Sequence, residues 1–335
     1  MLDILRELTA LDGVSGEEDA VRDYIISKID GHCEYKIDPL GSIITFKKGK
    51  NRSVKRLMVD AHMDEVGLII TSVTSDGFLG FSAVGGIDTA VLMFRRVRIG
   101  NVNGVITGKP IHLISAGERK KLPKPESLYI DIGASSKEEA LKLVRIGDRA
   151  VICGEYTEMG NKIKAKAIDD RAGCAILISL LTKESDYDFY ATFSVEEEVG
   201  LRGAKAAAFT VAPDSAIVLE STTAADIAGV DTSKRVCVLG KGPAVSFMDR
   251  ATVYDRAYFD AALKSGIKCQ PKAAVAGGNN SGAVHLSRGG VRTLAISVPC
   301  RYIHSPSCVA DKEDIENAAR LAEYMINGIC SGEIK

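Results

Sequence analysis

The sequence has no tryptophan, no C-x-x-C pair and no excess of either charge. Each absence removes a class of protein. Lys+Arg 43 against Asp+Glu 44 leaves a formal charge of −1. No basic block gathers the positive residues, so binding to nucleic acid through bulk charge is excluded. No stretch approaches the roughly 18 apolar residues needed to cross a bilayer, so no membrane partner is expected. The start, Met1-Leu2-Asp3-Ile4, is acidic within three residues and lacks a basic n-region. The expectation is a chain without a signal peptide, resident in the cytoplasm. There the eight scattered cysteines read as reduced thiols, mostly core filler, and zinc held by cysteine is not expected. Any metal site must then use His and carboxylates.

What is present suggests an interrupted α/β protein. A chain of 335 residues is long enough for two domains, or for one large domain with an insertion. Leu2, Leu5, Leu8 and Leu11 fall at about helical period, and Ser15-x-x-Glu18 reads as a capping box for a second helix. Residues 34–47 read as a hairpin turning at Asp38-Pro39-Leu40-Gly41. From about Val66 to Asn161 short β-type runs alternate with turn residues, and only about 136–144 looks helical. Beyond Lys166 helices are expected at 171–182, 201–209, 252–265, 281–288 and 312–329. Strands are expected at 188–195, 215–220, 272–276 and 292–298. The expected fold is α/β, a mostly parallel or mixed sheet flanked by helices, with a small β-rich domain inserted. Residues 1–66 and 161–335 form the α/β domain and 67–160 the insertion. There is no internal repeat and no low-complexity segment.

Polar residues of ligand type gather where the strands end. His62 and Asp64 lie two apart past an apolar strand, which suits an imidazole ligand oriented by a carboxylate. Asp169 and Asp170 precede a helix, where paired acids are also ordinary caps. Glu196, Glu197 and Glu198 follow the run Phe189–Phe193, a costly concentration of charge without a cation. Glu220 and His304 lie at or past two more strands; His32, His112 and His285 are taken as ordinary polar residues. Open α/β sheets place their sites at the carboxyl ends of strands. Two histidines with several carboxylates and no cysteine suit zinc, cobalt or manganese.

The series AHMDEVG at 61–67, AIDDRAG at 167–173, EEVGLRGA at 197–204, Glu220 followed by TTAAD, and RYIHS at 301–305 resembles the M42 glutamyl aminopeptidases. These are dinuclear metallopeptidases of the zinc-peptidase fold that build tetrahedral particles. The resemblance covers essentially the whole chain. It implies His62, Asp169, Glu198, Glu220 and His304 as ligands of two divalent ions, Asp169 bridging them. It also implies Glu197 as general base, Asp64 as the acid orienting His62, and a cis peptide between Asp169 and Asp170. Glu197 and Glu198 can divide their roles only if the chain turns there, which Gly200 and Gly203 would allow. The implied activity is removal of N-terminal residues from short peptides by a metal-activated water. The implied assembly is a homo-oligomer, a dodecamer of six dimers formed through the insertion.

Three positions depart from the family pattern: Glu220 where Asp is usual, Asn280 in GGNNSG where an acid is usual, and Cys308 where an acid often follows the HS motif. The Glu at 220 keeps a deacylase or carboxypeptidase of the M20 type as an alternative, and an inactive oligomeric scaffold is another. A glycosidase is disfavoured, because neighbouring acids on one strand do not flank a sugar ring and tryptophan is absent.

Overall fold

The computed structural model describes residues 1–117 and 120–335. Its frame is an 11-stranded mixed sheet. Four strands at its centre run parallel, in the order Phe189–Ser194, Leu57–His62, Ser215–Thr223 and Arg292–Arg301. Antiparallel strands extend it on both sides: Ile43–Lys47 and Glu34–Ile37 on one, Cys308–Asp311, Lys162–Ala165 and Thr157–Met159 on the other.

Period-two alternation divides the central strands between two cores. Leu57, Val59 and Ala61 join Phe193, Leu219 and the helices Leu2–Ala10, Ile168–Thr182 and Lys312–Ser331 in the larger core. Met58 and Ala216 face the other way, against Ala204, Ala207 and Val211 of the helix Arg202–Val211. Burial on both faces explains why these strands read as near-continuous apolar runs. Asp60 and His62 share the face of Met58, so that face turns from apolar to polar toward the carboxyl end.

The insertion closes into a six-stranded antiparallel barrel. Its strands are Gly67–Val73, Leu79–Val84, Arg96–Ile99, Val102–Ile106, Ile130–Asp131 and Arg149–Ile152. It has its own core, including Leu68, Ile70, Leu79, Val97, Ile106 and Ile130. The strand Thr157–Met159 pairs within the large sheet. Among the described residues no helix is long and apolar enough to cross a membrane.

Several sequence expectations are corrected. Ser15 and Glu18 form no capping box. Glu18 is itself the N-cap of the helix Asp19–Ile29 without a side-chain cap bond. The Ser15 hydroxyl instead donates to Asp64 at 2.6 Å, and Glu18 Oε1 accepts from the Gly16 and Glu196 backbones. Tertiary partners thus outcompete the local motif. Residues 272–276 are not a strand; only Gln270–Pro271 pairs there. The expected helix 281–288 is the single turn Ser281–Val284, and that at 252–265 shrinks to Arg256–Leu263 because Asp255 caps it.

The chain leaves for the barrel beside Glu65 and has returned by Lys166. These two are buried and paired at 2.5 Å, with the fully buried Arg171 guanidinium 3.7 Å from the same carboxylate. Lys166 also donates to the Leu11 carbonyl, and Arg171 to those of Leu8 and Met63. Removing one partner of a buried ion pair leaves uncompensated charge. Glu65→Ala is therefore expected to lower the unfolding free energy by about 3–5 kcal/mol, read from the denaturant midpoint of the metal-loaded protein. A midpoint within error of wild type would show that the cluster contributes no net stability.

Candidate metal centre

The site forms at the carboxyl edge of the four parallel strands. His62 ends its strand, and register places Ser194 directly beside it. Glu220 lies near the end of Ser215–Thr223, opposite Ser297 on the next strand. Between Val195 and the helix Arg202–Val211 the chain turns sharply: Glu196 and Leu201 adopt positive φ, as does Gly200 at 122°. The Gly200 and Leu201 amides close the turn on the Glu197 carbonyl. A Cβ at Gly203 would lie 2.4 Å from the Val195 carbonyl oxygen, so only glycine fits. This turn lets both neighbouring carboxylates reach the centre, Glu197 beside His62 and Glu198 toward His304 as well. The Glu196 carboxylate is drawn off to Arg202 at 3.2 Å. Asp169 and Asp170, joined by a cis peptide, have non-helical backbone ahead of the following helix.

The two histidines approach one carboxylate from either side. His62 Nε2 lies 3.3 Å from Asp169 Oδ1 and 3.3 Å from Glu220 Oε1. His304 Nε2 lies 3.3 Å from Asp169 Oδ2 and 3.4 Å from Glu198 Oε1. The donor atoms cluster as His62–Asp169–Glu220 and Asp169–Glu198–His304, with Glu197 grouped beside His62 and Glu198. A tetrahedral ion with ligands at about 2.0–2.1 Å requires donors about 3.3–3.4 Å apart, the spacing seen here. Asp169 Oδ1 is buried without a hydrogen-bond partner, a costly state that a cation would relieve. The donor set therefore fits divalent metal.

The surroundings orient these groups. His62 Nδ1 faces Asp64, 3.1 Å from its carbonyl and 3.3 Å from Oδ1, which leaves Nε2 for the centre. Asp64, fully buried, also accepts from the Glu197 amide at 2.9 Å and the Glu198 amide at 3.1 Å. Burial works to raise its pKa, but His62 and these donors prevail and hold it below the usual carboxylate value. His304 Nδ1 donates to the Gly86 carbonyl, which lies just past a barrel strand, at 2.7 Å. Without a bound cation, burial and then the Asp169 charge push Glu198 up to about 8. Burial, with Asp169 and Asp64 adding to it, pushes Glu197 up to about 7. Burial likewise drives Glu220 well up.

His62, Asp169, Glu197, Glu198, Glu220 and His304 meet in these groups with Asp64 against His62, while His32, His112 and His285 enter no metal-binding group among the described residues. Asn280 donates to Asp60 and Ser194 in a buried network behind His62 and joins no ligand group. Cys308 Sγ lies 3.3 Å from the Tyr302 and Ser305 carbonyls, in the loop that carries His304. Sequence reasoning missed Ser15 and Gly86 as supports, and no local pattern marks either.

The M42 glutamyl aminopeptidase family model matches residues 41–321. The chain belongs to the M42 family. A putative aminopeptidase of Acetivibrio thermocellus is 40% identical over 98% of this chain and 98% of its own length. The aminopeptidase APDkam598 of Desulfurococcus kamchatkensis superposes with a TM-score of 0.93 at 36% identity, covering 99% of this chain and 96% of that one. The TET1 peptidase of Pyrococcus horikoshii, which can assemble into a tetrahedron or a large octahedral shell, gives 0.84 at 34% identity over 97% and 98%. As an M42 protein the chain is a hydrolase, a metal-dependent aminopeptidase.

Proposed function

We propose that the protein removes N-terminal residues from short peptides with two divalent ions, zinc, cobalt or manganese, held on either side of Asp169. His62 and Glu220 complete one set of ligands, His304 and Glu198 the other. The observation behind this reading is that Asp169 turns one oxygen toward each histidine. Such a pair of ions supplies Lewis acidity and a water acidic enough to ionise near neutral pH. Glu197 remains outside the two triads that share Asp169 and groups beside His62 and Glu198, and we assign its carboxyl the part of general base. It takes the proton of the attacking water and passes it to the leaving amine, the task of a positioned carboxyl general base. Asp64 fixes the ring of His62 and, through two amides, the turn that carries Glu197. For assembly, we propose a homo-oligomer, a dodecamer of six dimers in which the block 67–160 pairs subunits; a stable, fully active monomer in light scattering would end that proposal.

The test of activity is a panel of aminoacyl p-nitroanilides assayed after chelation and metal add-back. Chelation is expected to abolish hydrolysis and zinc, cobalt or manganese to restore it, with N-acetylated peptides inert. Cleavage of N-acyl amino acids with aminoacyl substrates untouched would turn the reading to a deacylase. No hydrolysis with any metal would leave a scaffold.

A further inference from the structure

The segment Gly13–Glu18 runs past the metal centre between the barrel and the large sheet. It is pinned where the chain enters the barrel: the Ser15 amide donates to the Glu65 carbonyl at 3.3 Å, and the Glu65 amide to the Gly13 carbonyl at 2.8 Å. Arg149, in the last barrel strand, holds the Ser15 carbonyl at 3.2 Å. Glu18 ends the segment as the N-cap of the helix Asp19–Ile29. An acidic N-cap, Asp above all, ordinarily accepts from the first amides of its own helix. Glu18 makes no such bond. Its Oε1 accepts instead from the Gly16 amide at 2.9 Å and from the Glu196 amide, 178 positions away, at 3.1 Å.

This arrangement is costly. Glu18 is 6% exposed. Burial pushes its carboxyl up to about 7, the like charge of Asp64 adds to the effect, and no cation is among its strongest neighbours. The amide it holds belongs to a constrained residue. Glu196 has a φ of 53°, a region that residues other than glycine rarely adopt. Such backbone persists where the surroundings over-determine it. Here two carboxyls hold consecutive amides of one turn: Glu18 that of Glu196, Asp64 those of Glu197 and Glu198. Asp64 also orients His62, so its place is explained by the metal centre. Glu18 has no such second task.

We propose that Glu18 is a positioning residue for the general base: its carboxyl oxygen fixes the Glu196 amide, and through it the direction in which Glu197 meets the attacking water. The proposal rests on the reading of Glu197 as base. Glu18 moves no proton; it acts as an acceptor at the right reach, so its length matters and its charge does not.

Two substitutions separate length from charge. E18Q keeps the reach and an acceptor oxygen but loses the charge. E18D keeps the charge, is one methylene short of Glu196, and is a good cap for its own helix, so the fold should hold. With metal in excess, E18D is expected to lower kcat on aminoacyl p-nitroanilides roughly 10–100-fold, the cost of a misplaced catalytic group. KM, bound metal and the urea midpoint should change little, and E18Q should stay near wild type. Wild-type turnover in E18D overturns the proposal. So does a loss in E18Q equal to that in E18D, or a loss in E18D that follows metal content or the urea midpoint. Hydrogen exchange over 195–201 in the metal-free proteins reads the turn without substrate. Exchange there should be faster in E18D than in wild type and E18Q, with the rest of the chain unchanged. Equal exchange in all three overturns the proposal, even if no anilide is cleaved. Near-full turnover in Glu197→Gln, with E18D still loosening the turn, would count against the base reading and not against the hold of Glu18 on the turn.

Discussion

Glu197→Gln is expected to lower kcat by roughly 10²–10⁴-fold, the usual worth of general acid–base catalysis, without changing metal content. The substitution preserves shape, and the backbone amide of residue 197 keeps its bond to Asp64, so the turn should survive. What disappears is a carboxylate able to accept a proton. Glu196 is a poor substitute, because Arg202 holds its carboxylate. Elemental analysis beside steady-state kinetics checks this. Near-full turnover in Glu197→Gln would place the base elsewhere.

Asp169→Asn should have the opposite signature, with metal lost first and turnover as a consequence. Asp169 Oδ1 and Oδ2 lie in different triads, and an amide offers only one oxygen and no charge. Substituting residues that merely orient a metal ligand typically weakens metal binding 10–100-fold, so loss at a shared ligand should exceed roughly 100-fold. Bound metal is expected to fall from two ions per chain to one or fewer. The metal-free proteins should order the same way. Burial works against the Asp169 charge, but His304 and His62 prevail and hold its carboxyl well below the usual value, so the ionised group stabilises the fold. The metal-free variant should then melt below metal-free wild type. Two tightly bound ions in Asp169→Asn would remove the bridge from the account.

The sequence made the site legible where chemistry and local pattern coincide. Apolar runs such as Leu57–Val59 and Ile217–Leu219 end in His62 and Glu220 because a parallel sheet buries its strands on both faces and frees only their ends. The β texture of the barrel, whose strands run from Gly67 to Ile152, was likewise legible from short runs between turns. Features set by distant partners were not. Ser15 carries a helix-cap pattern, yet Asp64, 49 positions away, takes its hydroxyl. Gly86 reaches His304 through its backbone carbonyl, which has no side-chain signature. Residues 272–276 read as a strand, yet only Gln270–Pro271 pairs there.

The bond from His304 to Gly86 crosses from the large sheet to the barrel. It makes the barrel's position and the His304-side metal affinity two readings of one equilibrium. By linkage, whatever factor correct seating of the barrel adds to ion affinity at Asp169–Glu198–His304, ion binding must return to the seating of the barrel. With the proposed ligands, a contact that tilts the insertion would be felt as a change in metal occupancy, and depletion of metal would loosen the loop at 84–88. Hydrogen exchange over 79–106, measured with and without added zinc, should show slower exchange in the loaded protein, and identical protection would mean that the barrel and the ion are independent.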